Sequence, residues 1–214
     1  MLTPEEYKKL SVKKFTKAAG KYETDRAGVY RLCRHDYPPI LEELRGYPFK
    51  TLLDAGCGTA PMLSLLTKEY TDAHFTGLDL TPEMIRTAEK KGLPNMTLVV
   101  GDCENMPFGD ASFDVVINSQ SCHHYPDAAA FFRSVYRVLK PGGILILRDM
   151  SFSAPLVFIA NHVSMPLINR LGHGDVRVRT AEELKELAVS AGLTVLKAER
   201  RFPCRAHILA VKKA

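Results

Sequence analysis

The chain has 214 residues, 46% of them hydrophobic and 25% charged, and its 29 lysines and arginines against 24 acids leave a formal net charge of +5. That length and balance fit one large domain or one domain plus a small appendage, and they exclude disordered, collagen-like and coiled-coil classes. The positive surplus is compatible with an anionic substrate and too small to argue for a nucleic-acid groove.

In chain order, Thr3-Pro4-Glu5-Glu6 opens the first predicted helix, with a Thr cap, Pro at the first helical position and a reciprocal Glu. Residues 1–47 read as a helical cap whose lysines, Lys8, Lys9, Lys13, Lys14, Lys17 and Lys21, form a solvated face. Short apolar runs bounded by turn residues predict strands at 50–55, 75–79, 97–100, 113–118 and 144–149. Helical periods lie between them. Thr81-Pro82-Glu83 offers a cap and a proline without the reciprocal Glu, and 128–139 puts Phe131, Phe132, Val135, Val138 and Leu139 on one face. Lys140-Pro141-Gly142-Gly143 ends that helix and turns into the next strand.

Residues 151–179 are too long for an ordinary connection, and 152–170 are largely apolar. Three uses compete: a lid over a small organic acceptor, an extension of the core, or a homodimer contact. Thr180-Ala181-Glu182-Glu183 then opens a helix over 181–191, and two strands, 193–199 and 205–211, follow with no helix between them. The expected architecture is α/β. It is a doubly wound, Rossmann-like, seven-stranded sheet, mostly parallel with a C-terminal antiparallel hairpin and helices on both faces. In domain terms, 1–47 is the helical cap and 48–214 the ligand-binding domain, with 151–179 as a lid-like insertion.

Five cysteines, Cys33, Cys57, Cys103, Cys122 and Cys204, show no CxxC spacing. A zinc knuckle and a paired disulfide framework are therefore disfavoured, and a reducing compartment is expected. The first residues have no apolar signal core, and the longest apolar run is far shorter than a membrane span. A cytoplasmic location without a membrane span is expected.

The strongest motif is Thr51-Leu52-Leu53-Asp54-Ala55-Gly56-Cys57-Gly58-Thr59-Ala60-Pro61, a strand running through a glycine turn into a helix. Gly56 and Gly58 let the backbone turn sharply and lie close to a ligand. Asp79 ends the next strand about twenty residues on, where a carboxylate can accept from both ribose hydroxyls. A dinucleotide needs bare amides for its pyrophosphate, yet Pro61 has no amide hydrogen, and Asp54 would repel phosphate. A nicotinamide dehydrogenase is thus disfavoured. S-adenosylmethionine, which carries a sulfonium and an ammonium and no phosphate, suits these residues.

On these motifs the sequence resembles a class I S-adenosylmethionine-dependent methyltransferase, of the branch that includes ubiquinone and menaquinone biosynthesis methyltransferases. The first motif lies at Asp54-Ala55-Gly56-Cys57-Gly58-Thr59-Ala60, with Ala60 where many members have a third glycine. The acidic motif is Gly77-Leu78-Asp79-Leu80-Thr81-Pro82-Glu83-Met84, and the third is Gly101-Asp102-Cys103-Glu104-Asn105-Met106-Pro107-Phe108. Phe113-Asp114-Val115-Val116 leads to Asn118, and Arg137-Val138-Leu139-Lys140-Pro141-Gly142-Gly143 precedes the fifth strand.

The resemblance implies that Gly56, Cys57 and Gly58 border the methionine part of the cofactor, and that Asp54 reaches its ammonium through water. It places Asp79 on the ribose, Leu80 and Met84 beside the adenine, Asp102 on the adenine amino group and the Cys103 amide on the ring. Asn118 would lie at the sulfonium and amino end through its carbonyl, and Tyr22 would close over the cofactor. The product would be S-adenosylhomocysteine. As side chains, Cys57 and Cys103 read as small packing residues. The His123–His124 pair follows the fourth strand at the substrate edge, and His123 is the candidate base. His162 and His173 read as polar loop residues, and no metal site is expected.

The expected reaction is methyl transfer to a small-molecule acceptor by in-line displacement. Two alternatives stand beside it. One is a non-catalytic cofactor-binding or interaction protein. The other is a nucleic-acid methyltransferase, although Asn118-Ser119-Gln120-Ser121 lacks the Pro-Pro-aromatic pattern of base-amino methylation.

Overall fold

The computed structural model describes residues 2–24, 33–202 and 204–214. Residues 25–32, inside the predicted cap, lie outside the described residues. The strands are β1 (Thr51–Ala55), β2 (His74–Asp79), β3 (Met96–Val100), β4 (Phe113–Ser119), β5 (Leu139–Met150), β6 (Thr194–Arg201) and β7 (Arg205–Val211). They form one sheet in the order β3-β2-β1-β4-β5-β7-β6. β1 to β5 pair in parallel, while β7 enters between β5 and β6 antiparallel to both. The expected doubly wound sheet and terminal hairpin are therefore both present.

The helices are α1 (Pro4–Ala18), α2 (Tyr37–Leu44), α3 (Pro61–Glu69), α4 (Pro82–Glu89), α5 (Ala128–Val138), α6 (Ala154–Ile159), α7 (Met165–Arg170) and α8 (Ala181–Ser190). One face of the sheet buries Phe131, Phe132 and Val135 of α5 and Leu184 of α8. The other buries Ile40 and Leu44 of α2 and Leu63 and Leu66 of α3. Strand residues alternate between the two cores: Leu53 and Val116 face the first, Leu52, Val115 and Ile117 the second. The doubly apolar runs of the sequence are the consequence.

Local signals set most boundaries. Thr3 and Thr180 each form a complete capping box, with Glu6 and Glu183 returning the hydrogen bond. Thr81 differs: its side chain caps nothing, and its own amide donates to Asp79 Oδ1 at 2.8 Å. The expected turn at 140–143 also differs, because it is absorbed into β5. Leu139 pairs with Phe113, the register then shifts, and Val115 pairs with Ile144. Gly142, at φ 80°, donates to the Lys212 carbonyl, so the extra residues bulge and still bond to a neighbour. No helix among the described residues is long and apolar enough to cross a membrane.

Candidate cofactor and acceptor site

The carboxyl ends of the parallel strands deliver their loops to one edge of the sheet, where doubly wound folds take ligands. A cleft there encloses about 910 Å³, part of it open to solvent. Tyr22, Asp54, Gly56, Cys57, Gly58, Asp79, Leu80, Met84, Asp102 and Cys103 line it, so ten separate sequence expectations converge on one space. That volume lies in the range of small-molecule and cofactor sites.

The floor is the loop after β1. Gly56 has φ 84°, and its amide and that of Cys57 both donate to the Leu78 carbonyl, at 2.7 and 3.0 Å. A Cβ on Gly56 would lie 2.1 Å from Ser121 Oγ, so no side chain fits. Ala60 sits left-handed at φ 59° immediately before Pro61 opens α3. A glycine at this place would relieve strain of roughly 1–2 kcal/mol.

Asp79 uses both oxygens on the backbone, Oδ2 taking the Gly58 amide at 2.9 Å and Oδ1 the Thr81 amide. The carboxylate thus fixes the glycine loop and still lines the cleft. Burial raises its pKa, and the two amides work against that rise. Asp54 accepts no hydrogen bond from a described residue. Burial, with Asp79 nearby, pushes its carboxyl up to about 7. A buried acid without donors beside a second acid is a place for a cation.

The roof comes from α1 and the segment after it. Lys8, Ser11 and Phe15 line the cleft. Lys8 bonds Asp102 Oδ2 at 2.7 Å and also reaches Glu104, while Asp102 Oδ1 takes the Glu104 amide at 2.9 Å. Tyr22 lies over Gly58, and Glu23 next to it takes the Thr59 hydroxyl at 2.5 Å and Lys91 at 2.6 Å. No residue of 151–179 lines the cleft.

Two expected site residues, His123 and Asn118, are not among those lining the cleft. Asn118 is expected to act through its backbone carbonyl, and its side chain is engaged elsewhere. It is fully buried behind the floor, donating to the Ala55 carbonyl at 2.7 Å and to Tyr125 Oη at 3.0 Å, and Ser119, Gln120 and Ser121 face the cleft instead. His123 is also turned away. Its amide and Nδ1 both bond the Asp149 carboxylate, at 2.7 and 2.6 Å, because Asp149 is buried and needs donors. The histidine that lines the cleft is His124. Its Nδ1 meets Asp175 Oδ1 at 3.0 Å, and Lys14 holds the same oxygen at 3.1 Å. Burial, then the adjacent His123, lowers the His124 pKa to about 4, so the ring is neutral near pH 7. Nδ1–H then points at the carboxylate, leaving Nε2 as the proton acceptor of a ring that faces the cleft.

The structure also shows residues with no signal in the sequence. Asp36, wholly buried just before α2, takes Arg148 Nε at 2.9 Å, Arg205 Nε at 3.1 Å and Gln120 Nε2 at 2.8 Å. It fastens the cap to β5 and β7, and Tyr37 beside it lines the cleft. Asp175 and Lys14 are the other unforeseen pair. His123, His124 and Asp175 bring ligand atoms within 4.8 Å of one another. Asp149 already engages His123 and Lys14 engages Asp175, so the group forms two bonded clusters whose imidazole rings lie 4.1 Å apart between centroids. Burial pushes the thiols of Cys33 and Cys122 up to about 11 and 12, which leaves them protonated and unreactive.

Residues 53–147 match the family model described as methyltransferase domain. The phthiotriol/phenolphthiotriol dimycocerosates methyltransferase of Mycobacterium leprae is 44% identical over 102 residues, which is 47% of this chain and 38% of that one. The 2-methyl-6-phytyl-1,4-hydroquinone methyltransferase of Synechocystis is 34% identical over 132 residues, 59% of this chain and 41% of that one. The chain thus spans about two fifths of these curated relatives. A solved structure of Burkholderia thailandensis 1,6-didemethyltoxoflavin-N1-methyltransferase, with its substrate and S-adenosylhomocysteine bound, shares the fold at a TM-score of 0.73. It is 23% identical, and the match covers 100% of this chain and 92% of that one.

Proposed function

We propose that the chain carries a class I S-adenosylmethionine-dependent methyltransferase domain, a reading supported by its relatives, and that it moves the cofactor's methyl group to a small-molecule acceptor by in-line displacement. The observation that carries this reading is the buried Asp54, which accepts no hydrogen bond from a described residue, beside a glycine loop and Asp79 in one cleft. S-adenosylmethionine supplies an activated methyl group on a sulfonium.

The chain's own residues supply position and charge. Gly56 and Gly58 leave room for the ligand, Asp54 receives its cationic amino-acid end, and Asp79 meets the ribose. Leu80, Met84 and the Asp102–Cys103 turn bound the base. Tyr22 and the inner face of α1 close the site from water, which concentrates the gain in orientation. His124, oriented by Asp175, takes a proton from the acceptor. The N-terminal cap holds the acceptor, and 151–179 contributes through Asp175 and not as a direct wall. The lipid and hydroquinone acceptors in the names of the relatives support an acceptor with a hydroxyl group and an apolar body.

Titration calorimetry of the wild type and of Asp79→Ala tests this. The wild type binds S-adenosylmethionine and S-adenosylhomocysteine and ignores NAD. Asp79→Ala weakens binding by about 1.5–3 kcal/mol per lost charge-assisted bond. Tight NAD binding with no response to S-adenosylmethionine would sink the proposal.

Asp54 gives a pH dependence with a definite sign. Its folded pKa of about 7 lies above the ordinary carboxylate value, so the ligand-free fold keeps a proton that the unfolded chain releases. Ligand-free stability therefore falls as pH rises from about 4 to about 7, and Asp54→Asn removes that loss. A cationic ligand needs the ionised form, so affinity should rise by up to roughly tenfold per pH unit toward pH 7 and then level. Calorimetry across this range should show the slope in the wild type and a flat profile in Asp54→Asn. Equal slopes in both would remove Asp54 from the ligand.

A further inference from the structure

Residues 152–169 contain no Asp, Glu, Lys or Arg. They fold into α6, a π turn at Ala160–Ser164 and α7, one continuous rod. Its inner face is accounted for: Val157 and Met165 pack with Val178, and Phe152, Ala160 and Ile168 join them. The outer face is largely apolar and bare, with the exposed His162 ring stacked on Phe158. Leu156, Ile159, Val163 and Leu167 follow at spacings of three and four residues and are 53%, 50%, 61% and 58% exposed, and Phe158 between them is 63% exposed. A helix that is apolar all round belongs against something.

Charge identifies the occupant. Lys9, Lys13 and Lys17 repeat every four residues along the exposed ridge of α1, opposite the cleft-facing Ser11 and Phe15, whereas Lys8 and Lys14 turn inward into ion pairs. The ridge and the rod adjoin, because the turn after α7 packs Gly174 onto Leu10 and Ser11 of α1, and Lys14 reaches across to Asp175. Leu171 and Arg170 stand exposed at that junction.

From this juxtaposition we propose that α6, the π turn and α7 dock the protein on an anionic lipid bilayer surface. The apolar outer face enters the interface, and Lys9, Lys13, Lys17 and Arg170 meet the headgroups. The rod is too short to span a bilayer and has the composition of a helix lying in its interface. This proposal does not depend on methyl transfer.

Cosedimentation of the full chain with phosphatidylcholine vesicles, and with vesicles containing about a quarter phosphatidylglycerol, tests it. The wild type should pellet roughly tenfold better with the anionic vesicles, and less so as salt rises. F158E/L167E and, separately, K9E/K13E/K17E should each lose that binding while keeping wild-type circular dichroism and S-adenosylhomocysteine affinity. All five positions are exposed, so folding is preserved. The proposal is overturned if the wild type ignores anionic vesicles, or if either variant pellets as the wild type does. A wild-type dimer in sedimentation velocity that F158E/L167E dissociates would overturn it equally.

Discussion

His124→Gln is expected to lower kcat for methyl transfer by about 10²–10⁴-fold, the usual contribution of a positioned general base. S-adenosylmethionine affinity should change little, because the cationic end of the cofactor is assigned to Asp54 and its ribose to Asp79. The reason lies in the hydrogen-bond chain: Lys14 holds Asp175, and Asp175 holds His124 Nδ1. That arrangement fixes the ring and leaves Nε2 to accept. The pH profile separates this role from a packing role. Burial and His123 hold His124 neutral down to about pH 4, so at saturating cofactor the acid limb of kcat should lie near 4 and not near 6.5. His123→Gln should instead cost stability, since it strips a donor from the buried Asp149. A folded His124→Gln variant with unchanged kcat and pH profile would reduce His124 to a wall of the cleft.

The second large effect is on the fold. Asp36→Ala should destabilise the protein by about 3–5 kcal/mol, the usual cost of breaking a buried ion pair from one side. The Arg148 guanidinium, 3% exposed, and that of Arg205, 7% exposed, would lose the carboxylate both of them meet. For a chain of this size the melting temperature should fall by roughly 10 °C. Cofactor affinity should fall with it, because Tyr37 beside Asp36 lines the cleft and Gln120 depends on the same carboxylate. Thermal denaturation followed by circular dichroism measures the loss. A melting temperature equal to the wild type would mean that solvent or another side chain replaces Asp36.

What the sequence by itself determined is whatever depends on near neighbours in the chain. Apolar strands between capped helices dictated the sheet and its two cores. The spacing from Gly56 and Gly58 to Asp79 placed a turn and a carboxylate at adjacent strand ends, because β1 and β2 pair in register with Asp54 opposite Gly77. Tyr22, Leu80, Met84, Asp102 and Cys103 were named by the resemblance, and they line the same cleft.

What only the tertiary structure decided concerns partners far apart in sequence. His123 and His124 are chemically identical in the chain. They are told apart by Asp149 at the end of β5 and by Asp175 with Lys14, which lie 26 to 110 residues away. The Asn118 side chain is held behind the floor by its bonds to Tyr125 and the Ala55 carbonyl. The apolar run at 152–170 showed that something must be covered. Which half faces inward, and that the other half stays bare beside a lysine ridge, follows from the packing of α6 and α7 on Val178 and of Gly174 on α1. Burial creates each of these distinctions, because it makes an unpaired polar group or an uncovered apolar face costly, and burial exists only once the chain has folded.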